Sequence, residues 1–213
     1  MPNISVWTNV GVAVQSALGP AITISAITKA NPGVATATSH GLSNGDVILL
    51  SVNGMTQLDG RVVRVANVTT NTFELEGVDT TNYDTFTSGN AKKITFGTAL
   101  ASATSVNVSG GDFDFIDTTT IHDTVRRQIP GLANAATFTF ESIWDVSDQA
   151  LLALASASEA KQQRAVRLTF ANGQKVFFNG YVGATLLPTG GAHEVVKTSV
   201  TITMFGRPTY YAS

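Results

Sequence analysis

The sequence predicts a mainly β protein: a β-sandwich or barrel with one flanking α-helix and a small inserted β-domain. Three observations carry this. Residues 164–170 and 174–182 are alternating apolar runs joined at Ala171-Asn172-Gly173. Asn-Gly between such runs is a strong hairpin signal, because both residues tolerate positive φ at little cost. Residues 22–93 are a string of short apolar runs separated by turn chemistry. A single stretch, about residues 148–164, has helical spacing with an apolar stripe.

Taken in order, residues 4–18 alternate as a strand, with Val6, Thr8, Val10, Val12 and Val14 against Ser5, Trp7, Asn9, Gly11 and Ala13. Both faces are partly apolar, so periodicity does not decide which is buried. Residues 22–93 hold four expected strands, at 33–38, 46–52, 60–67 and 72–75. They are punctuated at Asn31-Pro32-Gly33, Ser43-Asn44-Gly45-Asp46, Asn53-Gly54 and Thr69-Thr70-Asn71. This segment is expected to be a separable module, leaving 1–21 and 94–213 as the main domain.

In the main domain, residues 112–117 and 137–144 alternate, and a long polar loop is expected between them over 118–136. Ser147 is the expected N-cap of the helix, Asp148 lies in its first turn, and Lys161 and Arg164 lie in its last. Leu151, Leu152, Leu154 and Ala155 form the stripe expected to lie on the sheet. A final strand is expected over 194–205.

Charged residues make up 13% of the 213-residue chain, about half the usual share, and net charge is −2. Ser, Thr, Asn and Gly replace charge, which leaves a lone subunit poorly defended against self-association. No basic footprint for nucleic acid exists. The absence of cysteine excludes disulfides and thiolate metal sites. The triplets at Asn3, Asn67 and Asn107 match the glycosylation pattern, but such triplets arise by chance in a Thr-rich chain. No secretory signal is expected, since Lys29 is the first basic side chain. The stretch 10–27 is broken by Gly19-Pro20 and dotted with polar residues, so no membrane insertion is expected.

Catalytic chemistry finds no support. His40, His122 and His193 fall in separate turns or loops without metal-ligand spacing. No phosphate loop or Gly-x-Ser-x-Gly elbow is present. Asp112 and Asp114 share one strand face and Asp117 takes the other, so no carboxylate pair is set up for acid–base work. What the alternation does build is a polar face. It carries Asp112 and Asp114, with Phe113 and Phe115 inward. It continues through Thr137, Thr139 and Glu141, with Phe138 and Phe140 inward, and through Lys197, Ser199, Thr201 and Thr203 against Val196, Val200, Ile202 and Met204. Such a face is either the exposed side of a sandwich or the lining of a pore made when identical sheets join edge to edge. A receptor- or carbohydrate-binding module would instead need clustered exposed aromatics. Trp7 and Trp144 lie within strand alternation, and Tyr210-Tyr211 stand near the end of the chain.

Two resemblances sharpen these expectations. Phe170-Ala171-Asn172-Gly173, then Val176-Phe177 with Gly180-Tyr181-Val182, then the last strand into Gly206-Arg207-Pro208, resembles the major tail tube proteins of lambda-like phages with long non-contractile tails. The helix after an aromatic-rich strand fits the same order. Asp117-Thr118-Thr119-Thr120 with Ile129-Pro130-Gly131-Leu132 resembles the long loop of that family. The resemblance covers about residues 112–210. It implies a hexameric ring stacked into a tube that conducts DNA from the capsid into the host, with no cofactor and no enzyme activity. It implies as partners the chain itself and the tape measure, tail terminator and distal tail proteins, with assembly in the bacterial cytoplasm. It also implies an inter-ring loop containing Asp117, Thr118, Thr119, Thr120, Ile121, His122, Asp123, Ile129, Pro130, Gly131 and Leu132, and a lumen faced by Asp112, Asp114 and Glu141. The sequence departs from the family by its extra β-module and by having no immunoglobulin-like domain after the tube domain. That module, through Ser39-His40-Gly41-Leu42-Ser43-Asn44-Gly45-Asp46, residues 61–67 and Thr72-Phe73-Glu74-Leu75, resembles a small module of phage structural proteins similar to one in ubiquitin-activating enzymes.

Overall fold

The computed structural model describes residues 9–100 and 102–212. Among them run β1 (Gly11–Ile24), β2 (Ala26–Ile27), β3 (Val34–Thr36), β4 (Val47–Asn53), a 3-10 turn (Thr56–Leu58), β5 (Val62–Ala66), β6 (Thr72–Leu75), β7 (Ser88–Leu100) and β8 (Ala103–Ser109). They continue with β9 (Phe113–Asp117), β10 (Gln128–Ala133), β11 (Thr137–Ile143), α1 (Gln149–Glu159), β12 (Gln163–Thr169), β13 (Lys175–Ala184), β14 (Lys197–Met204) and β15 (Thr209–Tyr211). One open 13-stranded sheet has the order β2-β3-β6-β5-β4-β7-β1-β12-β13-β14-β11-β8, with β15 on β13. The second sheet is the β9–β10 hairpin. Neither sheet is closed into a barrel. The first part of the strand expected over 4–18, with Trp7 and Asn3, lies outside the described residues.

The antiparallel pairing of β1 with β7 is the spine. It runs from Val12↔Leu100 to Ile24↔Gly89, with irregularities between Ala13 and Gln15, Gln15 and Ala17, and Leu18 and Ala21. Gly19-Pro20 therefore does not end the strand. Proline lacks a donor for the ladder, and a bulge is where a strand accommodates it. The expected module limits, 22 and 93, fall inside β1 and β7, which continue from one end of the sheet into the other.

Three apolar clusters follow. In the first, Phe138, Phe140, Phe178, Val200 and Ile202 pack with Leu151 and Leu154 of α1. Leu100 of β7 and Val106 of β8, near opposite ends of this half of the sheet, touch the same cluster. The sheet thus curls around it without closing. Ile48, Leu50, Val63, Phe73 and Leu75 form the second, at the β2–β6 end. The third joins the two, with Val62, Ile94, Ala165, Phe177 and Tyr211 in contact. Phe177 and Phe178 are consecutive, so their rings enter clusters on opposite faces of β13.

The third cluster is clamped by the end of the chain. The Tyr211 hydroxyl accepts the Arg64 backbone N–H at 2.8 Å, and the Arg64 guanidinium lies 4.5 Å over the Tyr211 ring. Arg64 makes a two-pronged ion pair with Glu76, and the Thr209 hydroxyl donates to the Val62 carbonyl. Burial pushes the Tyr211 phenol above its ordinary range, which keeps it neutral. Gly60, at φ +68°, lies so close to Phe205 that a Cβ there would come within 2.3 Å of the ring. A larger residue would have to displace the Phe205 ring and would be strained at that φ.

The helix is shorter than expected. Asp148, not Ser147, is the N-cap, its carboxylate accepting from Ala150 N and Leu151 N. Ser147 is engaged instead by Asp145, through both its N–H and its hydroxyl. At the other end Lys161 turns to φ +51°. Gln162 N–H reaches Ala157 O at 2.8 Å and Lys161 N–H reaches Ser158 O at 3.0 Å, a Schellman closure. Lys161 and Arg164 therefore lie beyond the last turn, and Arg164 belongs to β12. The buried stripe is Ala150, Leu151, Leu154 and Ala157, while Leu152 faces outward. The Asn172-Gly173 hairpin also differs in detail. Only Gly173 has positive φ, and Gly173 N–H bonds Phe170 O while Phe170 N–H bonds Gln174 O. This is an ordinary turn followed by a glycine bulge, which asks positive φ of one residue rather than two.

Tyr211→Ala should lower unfolding free energy by about 3 kcal/mol through the void it opens. Tyr211→Phe should cost about 1 kcal/mol, the lost hydrogen bond. Urea denaturation of both variants checks this, and equal effects would show that the ring contributes little.

Candidate functional site: a hydroxyl face and an exposed arm

One face of β8, β11 and β14 is lined by hydroxyl and amide side chains. Pairing puts Thr137 beside Ser109, Thr139 beside Asn107 and Glu141 beside Ser105 on one flank. On the other flank Thr137, Thr139 and Glu141 face Thr203, Thr201 and Ser199. The opposite face of β11 is Phe138, Phe140 and Ser142, each no more than 1% exposed. Strand period thus separates a dry face from a wet one, as the alternation of these segments requires. The charged side chains of these three strands are Glu141 and Lys197, which pair at 3.2 Å. Both are partly exposed, so the pair adds little stability, but it cancels their charge. The face is therefore close to neutral.

The same side of the sheet is covered farther along. Pairing of Tyr181 with Thr203 and Gly183 with Thr201 puts Phe177, Asn179 and Tyr181 on that side of β13. There Phe177 meets Phe96 and Tyr211, and Arg167 stacks over Phe96 at 4.8 Å. Val62 of β5 and Tyr211 of β15 cover Ala165 of β12 and Phe177 of β13 there, while the rows on β14, β11 and β8 stay open. At the margin, the outer edge of β8 pairs with no strand among the described residues. Ser105, Asn107 and Ser109 escaped the sequence reading. The alternation Thr104, Val106, Val108 against Ser105, Asn107, Ser109 carried the signal, but both rows are too small and polar to stand out.

The segment expected as a loop over 118–136 is in part a strand. β9 and β10 pair through Asp117↔Gln128, Ile116↔Ile129 and Phe115↔Pro130, leaving a tip at residues 118–127. Pro130 lies in β10 because a two-stranded ribbon has a free edge on which proline is tolerated. The tip is held by its own side chains. Asp123 accepts from Thr120 N–H at 2.9 Å and pairs with Arg127 at 3.1 Å. The Thr119 hydroxyl and N–H hold the Asp117 carboxyl below the usual carboxylate range.

Phe113 and Phe115 were expected inward; both are exposed, as is every residue of β9. Among the described residues nothing covers the strands of the arm, so alternation there sorts residues onto two faces without burying either. Ile121 is 95% exposed and Leu132 84%, an uncovered apolar surface that a free monomer rarely keeps. Asp112 and Asp114 sit at the root of this arm, where Asn134 binds the Asp112 carbonyl at 2.8 Å and the Asp114 carboxylate at 3.0 Å. Glu141 belongs to the main sheet. The three carboxylates are not brought together on one strand pair.

Nothing here is arranged for catalysis. His122 and His193 are exposed. His40, although in a turn or loop as expected, is buried: its Nδ1 accepts from Leu42 N–H at 3.1 Å, and its ring meets Phe73 edge-on at 5.1 Å. Among the described residues no group of His, Asp and Glu converges as a metal site. A groove of about 660 Å³ lies between the starts of β1 and β8 beside the end of β7, and no titratable side chain among the described residues lines it. No helix among the described residues is long and apolar enough to cross a membrane.

A search of curated proteins returns no match. The family model described as "Phage tail tube protein, TTP" matches residues 53–213. That span takes in the second half of the 22–93 segment, and no match supports the likeness of that segment to a ubiquitin-activating-enzyme module. With about three quarters of its length matched, the chain belongs to the phage tail tube protein family, structural components of the virion rather than enzymes.

Proposed function

We propose that six copies join side by side into a ring, and that rings stack into a tail tube whose lumen conducts phage DNA. The observation that carries this is the neutral hydroxyl face of β8, β11 and β14, left open beside an unpaired sheet edge. Edge-to-edge joining would satisfy the free backbone groups of β8 and remove an aggregation-prone edge. Ser105, Asn107, Thr139, Glu141 and Thr201 would line the wall. Asp112 and Asp114 would stand at its mouth, where the arm leaves the sheet. A wall without free cations cannot hold a polyanion by phosphate pairing and counterion release, so duplex slides. The arm, from Asp117 through Thr118, Thr119, Thr120, Ile121, His122 and Asp123 to Ile129, Pro130, Gly131 and Leu132, reaches the adjacent ring. Five strand residues at about 3.4 Å each give it a reach of roughly 17 Å before the tip. Tape measure, tail terminator and distal tail proteins complete the set of partners, and assembly takes place in the bacterial cytoplasm.

Negative-stain microscopy of the purified protein should show rings and tubes with an axial channel; compact monomers at every concentration would contradict the proposal. Replacing Thr139 and Glu141 by Lys should leave tubes intact but slow DNA delivery several-fold, most strongly at low salt, where screening is weak. Delivery kinetics in phage carrying the variant check this, and rates unchanged across ionic strength would remove this face from the lumen.

Replacing residues 118–127 by an Asn-Gly turn should shift the melting temperature of the subunit by less than about 2 °C, since surface changes cost under about 0.5 kcal/mol. The same change should abolish stacking. Calorimetry and microscopy of the variant decide, and normal tubes would take the arm out of the ring-to-ring contact.

A further inference from the structure

We propose that the arm seats on the opposite end of the same domain in another copy of the chain, on a surface formed by Trp144, Val146, Leu187, Val195 and Val196. This rests on the tube reading above and adds to it the receiving surface. β11 starts at Thr137, beside the root of the arm, and ends at Ile143. Just beyond, Trp144 N–H donates to Val196 O at 3.0 Å, and its indole N–H donates to Leu186 O at 2.9 Å. Those two bonds fasten the loop over 185–196 to the end of β11. Leu187 is left 67% exposed and Val195 60%, around a partly exposed Trp144 ring. Two uncovered apolar surfaces thus stand at the two ends of one strand.

Charge selects which surface meets which. The arm tip carries two exposed guanidinium groups: Arg126, paired with Asp117 at 3.5 Å, and Arg127, paired with Asp123 at 3.1 Å. The opposite end, residues 144–148 and 185–197, carries Asp145, Asp148 and Glu194, and its one Lys, Lys197, is paired with Glu141. Receiving ends against each other would bring carboxylates together, whereas the arm offers them two exposed guanidinium groups. Arm against receiving end joins unlike signs around apolar centres. A contact between two different surfaces of one chain does not close on itself when repeated along a line, which is the symmetry of a stack.

The chain has no cysteine, so introduced thiols report cleanly. Assembled particles of the full chain carrying both Ile121→Cys and Leu187→Cys, treated with a short bismaleimide, should give a ladder of covalent multimers on a denaturing gel. Either single substitution should leave the chain monomeric on that gel. A dimer from Ile121→Cys alone, or no ladder from the double variant, would overturn the proposal. As a second test, Leu187→Asp with Val195→Asp should keep the native melting temperature while the polymerised fraction falls at least tenfold. Undiminished tubes from that variant would overturn the receiving surface and leave the tube reading standing. A native chain that never polymerises would overturn both.

Discussion

The pairing of β1 with β7 is the constraint on which the rest of the molecule depends. It carries the chain out of one apolar cluster and into another without leaving the sheet. The other strands of the large sheet are placed by their distance from this pair: β4, β5, β6, β3 and β2 on one flank, β12, β13, β14, β11 and β8 on the other, with β15 on β13. A flexible linker at residues 22 and 93 would have left two bodies free to reorient. Continuous ladders do not allow that, and the Tyr211–Arg64–Glu76 clamp closes the remaining angle.

That rigidity bears on the working surfaces. Phe177, Phe96 and Tyr211 cover the sheet where the two halves meet, and the hydroxyl rows begin where that cover stops. One side of a single sheet is thus divided between an internal interface and a neutral open wall. The arm is the opposite case. It is held at its root and tip by short-range bonds, such as Asn134 with Asp114 and Asp123 with Thr120, and it buries almost nothing. Among the described residues none covers its apolar side chains.

Much of this was legible in the residues. Thr137 to Glu141 and Ser199 to Thr203 alternate so regularly that burial follows parity, and the short strands around Ile48, Val63 and Phe73 lie between clear turn signals. The misses have physical causes. β7 and β8 are rich in Gly, Ala, Ser and Thr, and they are strands because β1 and β11 lie alongside, a long-range fact that local pattern does not contain. Gly19-Pro20 looked like a boundary because local chemistry cannot announce a bulge. Phe113 and Phe115 looked buried because alternation defines two faces but not whether either one meets anything. The face, rather than the full set of its residues, was what the sequence could disclose.

Hydrogen exchange compared between free subunits and assembled particles tests the central claim most directly. The claim is that β8 and the arm are completed by other copies while the spine is complete in one. Amides of residues 103–109 and 113–133 should gain strong protection on assembly, and those of β1 and β7 that pair with each other should not change. Arm and β8 amides that exchange equally fast in both states would contradict the account.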